Sequence, residues 1–135
     1  MSDNIEKQRL AEAIENLDRQ HDRIAILIKG LTKSLEEGSS GMDILEIVRE
    51  LVNLLNRHFS DENMLFAQFG YPDMSRHMME HKKIFDEINS QFRKIEAGEK
   101  PLSEKLVEYF EQLETDHIAQ DDEEYMVYFK NKLAE

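Results

Sequence analysis

Apolar residues along the first quarter of the chain fall at Leu10, Ile14, Leu17, Ile24, Ile28, Leu31 and Leu35. Steps of three and four dominate that series, which puts its members on one face of a helix. The one long step, from Leu17 to Ile24, is bridged by His21. The segment reads as helical from about Ile5 and stops at Glu36-Glu37-Gly38-Ser39-Ser40-Gly41, where glycine and serine end helices and form connections. A second stripe runs through Ile44, Val48, Leu51, Leu55, Leu65 and Phe69, interrupted by His58 and Glu62. Gly70-Tyr71-Pro72-Asp73 breaks it, because the residue before a proline is driven out of the helical region.

The third helix is predicted over about 73–97, with Met74, His77, His81, Ile84, Ile88 and Ile95 inward and Phe85 and Phe92 widening the apolar face. Gly98-Glu99-Lys100-Pro101 closes it. Leu102, Leu106, Phe110 and Leu113 open a fourth stripe that arrives at His117 and continues through Tyr125, Phe129 and Leu133. Four helices of roughly 20 to 30 residues with short connections fit an all-α, up-down-up-down antiparallel four-helix bundle, expected as one domain over the whole chain. Leu27, Leu45 and Ile47 lie beside the stripes and either complete the core face or make subunit contacts.

Composition narrows the chemistry. The 135 residues carry 29 acidic against 17 basic side chains, a net charge of -12, which argues against nucleic acid and anionic membrane surfaces as partners and favours cations. With no cysteine, thiolate metal sites and cysteine nucleophiles are excluded, so any metal must be held by nitrogen and oxygen. The polar start Met1-Ser2-Asp3-Asn4 does not have the form of a signal peptide, and no segment approaches the ~18 consecutive apolar residues of a membrane span. A cytoplasmic protein is expected.

All five histidines fall on stripes that face the bundle core, and every helix contributes at least one. Leaving five imidazoles and a carboxylate buried without partners costs about 1–3 kcal/mol for each polar group, which in sum rivals the stability of a whole domain. Metal coordination removes that conflict, since imidazole nitrogen is a common ligand and carboxylate offsets cationic charge. His77 and His81 are four apart, as are His58 and Glu62, so each pair stacks on one helical face. His77, His81 and His117 offer three nitrogens to one ion, and His21 and His58 offer two to another. Seven protein ligands are too many for one ion, and two ions sharing carboxylates fit better. The second carboxylate must come from the fourth helix, where Asp116, Asp121, Asp122, Glu123 and Glu124 crowd around His117. Spacing selects Asp121, four residues on, whereas the apolar phase of Tyr125, Phe129 and Leu133 selects Asp122, which requires a local widening of the helix such as a π-bulge.

Four segments together resemble the hemerythrin family, and its bacterial members in particular: Asp18-Arg19-Gln20-His21, His58-Phe59-Ser60-Asp61-Glu62, His77-Met78-Met79-Glu80-His81 and His117-Ile118-Ala119-Gln120-Asp121-Asp122, with Gly70-Tyr71-Pro72 between the second and third. The resemblance implies two iron ions, Fe2+ or Fe3+, joined by an oxo or hydroxo bridge. His77, His81 and His117 would bind one iron and His21 and His58 the other, with Glu62 and Asp122 bridging. It also implies reversible binding of dioxygen at the iron with two histidines, the ligand being held as a hydroperoxide while both irons are oxidised. Oxygen carriage, storage or delivery would follow, without enzymatic turnover. This chain departs from the family in having no tryptophan, in being helical from near its start, and in placing Asn63 where a second glutamate is common. Tyr109-Phe110 retains the aromatic before the last histidine.

Met64, Met74, Met78, Met79 and Met126 are candidates to line an oxygen pocket, and Phe59, Phe66, Phe85, Ile118 and Tyr125 to form its apolar wall; core packing explains both sets as well. Tyr71 and Tyr125 are candidate hydrogen-bond donors to ligands. A ferritin-like oxidase needs two Glu-x-x-His pairs, and only Glu114 with His117 is present. The His-Glu-x-x-His signature of a zinc hydrolase is absent. The alternatives are an oxygen or redox sensor acting on a protein partner in trans, and a di-iron peroxide or nitric oxide reductase.

Overall fold

A computed structural model of the chain describes residues 2–38, 41–98 and 104–135, with side chains for 4–38, 43–98 and 106–135. The expected breakers Ser39, Ser40 and Pro101, and the expected core residue Leu102, lie outside the described residues. Helix α1 spans Ser2–Glu36, three residues earlier than the expected start, α2 Gly41–Phe69 and α3 Met74–Glu96. The fourth helix is composite, with α4 over Glu104–Gln112, a π-helical segment over Leu113–Asp122 and α5 over Glu123–Ala134. Gln112 (φ -66°, ψ -37°) and Glu123 (φ -63°, ψ -35°) are both helical, so the three pieces run on as one rod.

Cross-helix pairs give the direction of each rod. Asn16 donates to Asp61 and Arg23 to Glu50, so α2 descends as α1 ascends. Arg49 pairs with Glu96 and Asn63 with His81 between α2 and α3. Thr32 pairs with Glu111 and His21 with Asp122 between α1 and the fourth rod, and Arg76 pairs with Glu124 between α3 and α5. The bundle is therefore antiparallel and up-down-up-down, as the stripes and short connections predict. Most of these pairs are exposed and add at most about 1 kcal/mol each.

Burial supplies the larger share. One apolar cluster gathers Ile24, Leu31, Val48, Leu55, Ile88 and Phe110, and a second gathers Leu10, Leu17, Leu65, Phe66, Tyr125 and Phe129. Each such side chain taken out of water contributes about 1.5–3 kcal/mol. Leu27 is buried in the first cluster, Ile47 packs against it and Leu45 is half-buried, so these residues fill out the core face. Phe85 does not: it is 44% exposed. Ile84 and Ile88 carry the inward phase of α3, and a residue adjacent to Ile84 is rotated about a quarter-turn away, onto the flank.

Gly70 ends α2 with φ +75°, and its N–H donates to the Phe66 carbonyl at 2.9 Å. The left-handed step turns the chain back so that the Tyr71 ring lies 5.0 Å from that of Phe66, in the second cluster. A Cβ added at Gly70 meets nothing within 4 Å, so substitution acts through the backbone alone. Gly70→Ala is expected to lower the unfolding free energy by about 1–2 kcal/mol in urea titrations followed by circular dichroism, with helix content unchanged.

Candidate metal centre

Each rod brings its polar residues to one layer between the two apolar clusters. His58 and Glu62 come from α2, His77 and His81 from α3, His117 and Asp122 from the π-helical segment, and His21 from α1. His58, Glu62, His77 and Asp122 are wholly buried, and His81 and His117 nearly so. The His21 side chain is 15% exposed and is the open edge of the layer. All seven side chains singled out by the sequence thus meet. Ligand-type atoms of Glu62, His77, His81, His117 and Asp122 all lie within 4.8 Å of one another, and so do those of His21, His58, Glu62 and Asp122. Glu62 and Asp122 belong to both groups.

The fourth rod shows how Asp122 arrives. In an α-helix residues four apart stack, whereas i→i+5 hydrogen bonding aligns residues five apart. The π-helical segment ends on Asp122, and both candidate aspartates touch the same ring from opposite sides. Asp121 Oδ2 stands 3.5 Å from His117 Nδ1 and is 26% exposed, while fully buried Asp122 places Oδ1 3.3 Å from His117 Nε2. Asp122 also reaches His77 Nε2 at 3.0 Å, His21 Nε2 at 3.0 Å and His58 Nε2 at 3.2 Å. On the other side of the layer Glu62 lies 2.9 Å from His81 Nε2 and 3.3 Å from His58 Nε2.

Several of these atoms have no hydrogen-bond partner among the described residues although they are fully buried: both oxygens of Glu62, Nδ1 of His77, Nε2 of His81, both ring nitrogens of His117 and the Tyr125 hydroxyl. At about 1–3 kcal/mol for each, the burden rivals the ~5–15 kcal/mol by which a domain is stable. Glu62 Oε1 and His81 Nε2 stand 2.9 Å apart, a separation that two ligands of one cation share. The donor set is imidazole and carboxylate, the chemistry of a nitrogen-rich transition-metal site. These residues fit a pair of metal ions.

Charge is distributed accordingly. Burial opposes ionisation of Asp122, but hydrogen bonds from His21, His58 and His77 hold its carboxyl well below the usual range. Burial likewise opposes charge on His58, yet Glu62 and Asp122 outweigh it and raise the imidazole to about 10. Burial keeps His117 below its ordinary value. Burial, reinforced by Glu62 and Asp122, pushes the Tyr125 phenol well up, so it stays neutral.

Phe59 stacks on His81 with ring centroids 4.5 Å apart, and Phe66 meets His77 edge-on at 5.0 Å, so aromatic rings close the layer toward both clusters. Tyr125 sits 5.6 Å from His77, and Ile118 packs against the first cluster. The methionines divide. Met126 is buried and Met74 packs against the second cluster, whereas Met64, Met78 and Met79 are exposed. Met64, Met78 and Phe85 instead edge an open surface groove between α2 and α3 that reaches His81.

Three outer residues make contacts that the sequence reading did not anticipate. Gln20 Oε1 lies 2.8 Å from His58 Nδ1, Asp61 accepts from Gln20, and Asn63 Oδ1 lies 2.9 Å from His81 Nδ1. Asn63 thus bears on how a ring is held, beyond what its place in the motif suggested. The one available signal was that Asn16 and Gln20 stand four apart beside the α1 stripe.

A family model described as the hemerythrin HHE cation binding domain matches residues 12–129. The chain belongs to the hemerythrin family. Bacteriohemerythrin of Campylobacter jejuni subsp. jejuni is 28% identical over 86% of this chain and 87% of its own length. Myohemerythrin of Theromyzon tessulatum is 28% identical over 82% of this chain and 81% of its own. Bacteriohemerythrin of Clostridium acetobutylicum is 25% identical over 84% and 91% respectively. Among the described residues, no helix is long and apolar enough to cross a membrane.

If a hemerythrin-type site relieves the orphaned polar atoms, metal must stabilise the fold. Ferrous iron added anaerobically to metal-free protein at about 100 to 1,000 times its dissociation constant is expected to raise the thermal midpoint by roughly 10 °C, read by circular dichroism. Magnesium, which prefers oxygen ligands, is expected to leave the midpoint unchanged.

Proposed function

We propose that this chain holds two iron ions, bridged by oxide or hydroxide, and binds dioxygen reversibly for carriage, storage or delivery. The observation that carries the reading is the overlap of the two ligand groups on Glu62 and Asp122. His77, His81 and His117 serve one ion, His21 and His58 the other, and the two carboxylates bridge. That gives five protein ligands on one side and four on the other, so the His21 and His58 side has more room for an added ligand. His21 is also the partly exposed member of the set.

When bound, ferrous iron supplies the electrons that dioxygen takes up on binding and returns on release. The residues of the chain govern everything around that exchange. Two carboxylates balance part of the cationic charge inside a low-dielectric layer. Phe59 and Phe66 flank the imidazoles and keep water from that layer. Tyr125, held neutral, keeps its hydroxyl hydrogen and leaves Glu62 its charge.

Iron content and the optical spectrum test this directly, with protein reduced without air, exposed to dioxygen and returned to anaerobic buffer. Two irons per chain and a charge-transfer band that appears and disappears are expected; no iron, or one irreversible conversion to the ferric form, overturns the reading. His81→Ala is expected to lose one iron or the oxygen-dependent band. Asp122→Asn is expected to fall below two irons per chain while Asp121→Asn retains two, and equal retention by both would remove Asp122 from the ligand set.

A further inference from the structure

Gln20 is buried in α1 beside His21, with its amide between two groups of opposite character. Its Nε2 donates to Asp61 Oδ2 at 2.7 Å, and its Oε1 lies 2.8 Å from His58 Nδ1. Asn16 Nδ2 donates to the same Asp61 oxygen at 3.2 Å, which fixes the carboxylate from the α1 side.

Donor and acceptor rules then set every proton in the chain of contacts. An ionised carboxylate only accepts, so the NH2 end of the Gln20 amide must face Asp61. The amide oxygen is thereby turned to His58, and since a carbonyl oxygen only accepts, His58 Nδ1 must carry hydrogen. The other ring nitrogen, Nε2, is the one that faces Glu62 and Asp122 at 3.3 and 3.2 Å. A metal-bound histidine is oriented in this way by what its second nitrogen meets.

We infer that Asp61 and Gln20 form a positioning relay that fixes the ring orientation and Nδ1–H form of His58, and through Gln20's neighbour His21 hold the two-histidine half of the centre. This rests on the two-metal reading above. Asp61 sits three residues after His58 on the side of α2 that faces α1, so the relay also joins the two helices that supply this half. Placing a neutral amide between carboxylate and imidazole orients the ring without setting a third carboxylate directly against it.

Zinc is the test ion, being redox-inactive and compatible with nuclear magnetic resonance of 15N-labelled imidazoles. The wild-type chain is expected to take up two zinc ions and to show a hydrogen-bonded, slowly exchanging His58 Nδ1–H. Gln20→Leu is expected to weaken one of the two ions about 10–100-fold, leave the other unchanged, and abolish the slow exchange of that proton. Asp61→Asn, close in shape and partly exposed, is expected to weaken the same ion because the amide at position 20 is then free to flip. Gln20→Glu alone sets two carboxylates face to face and is expected to be worse. Combined with Asp61→Asn it restores an acceptor toward His58 and a donor between positions 20 and 61, and tight binding of the second ion is expected to return. Wild-type affinity and Nδ1–H exchange in Gln20→Leu, or a double variant no better than its singles, overturns the relay. A wild-type chain that takes up fewer than two zinc ions counts against the two-metal reading, and the Nδ1–H signal of metal-free protein then still decides the relay.

Discussion

A bundle core is stabilised by taking apolar surface from water, and this one interposes a layer of five imidazoles and two carboxylates between its apolar halves. Among the described residues, both oxygens of Glu62, Nε2 of His81 and both ring nitrogens of His117 find no hydrogen-bond partner in that layer. Every other arrangement follows from that unmet demand. Four helices must each deliver a ligand at one height, which fixes their register. Aromatic rings must cap the layer above and below, which places Phe59 and Phe66 one on each side of Glu62 along α2. The first cluster reaches from the layer toward one end of the bundle and the second toward the other, each providing burial that the layer does not.

The division between what was and was not legible in the sequence follows the same physics. Helix number, direction and inward face were readable because burial imposes a period on apolar residues, and the histidines were conspicuous for occupying that period. Asp122 was harder. The four-residue rule points to Asp121, whereas the phase of Tyr125 and Phe129 and the resemblance to the hemerythrin family both pointed to a five-residue step. The structure gives both aspartates a contact with His117, on different nitrogens, so the local rule was right about proximity and silent about which atom is met. Phe85 was misplaced because an aromatic next to an inward isoleucine raises apolar content without sharing its face.

The contacts of Gln20, Asn63 and Asp61 were invisible for a different reason. A polar residue on the flank of a helix looks the same in sequence whether it meets water or an imidazole across the groove. What distinguishes them is the partner, which only the packing of α1 on α2 and of α2 on α3 supplies. Chemistry at the ligands was thus written in residue type and spacing, and the orientation of those ligands in contacts between rods.

The widened turn in the fourth rod bears on how this chain can vary in length. A connection at the end of a bundle accepts added or missing residues because its geometry is not used for anything but reversal. Between His117 and Asp122 the count itself sets which oxygen faces which nitrogen, with Asp121 and Asp122 already committed to opposite sides of one ring. A deletion there would give a more regular helix with better-aligned backbone bonds and would exchange a buried acceptor for a half-solvated one. The stretch of the described rods that departs from α-helical hydrogen bonding is therefore the stretch with the least freedom to change size.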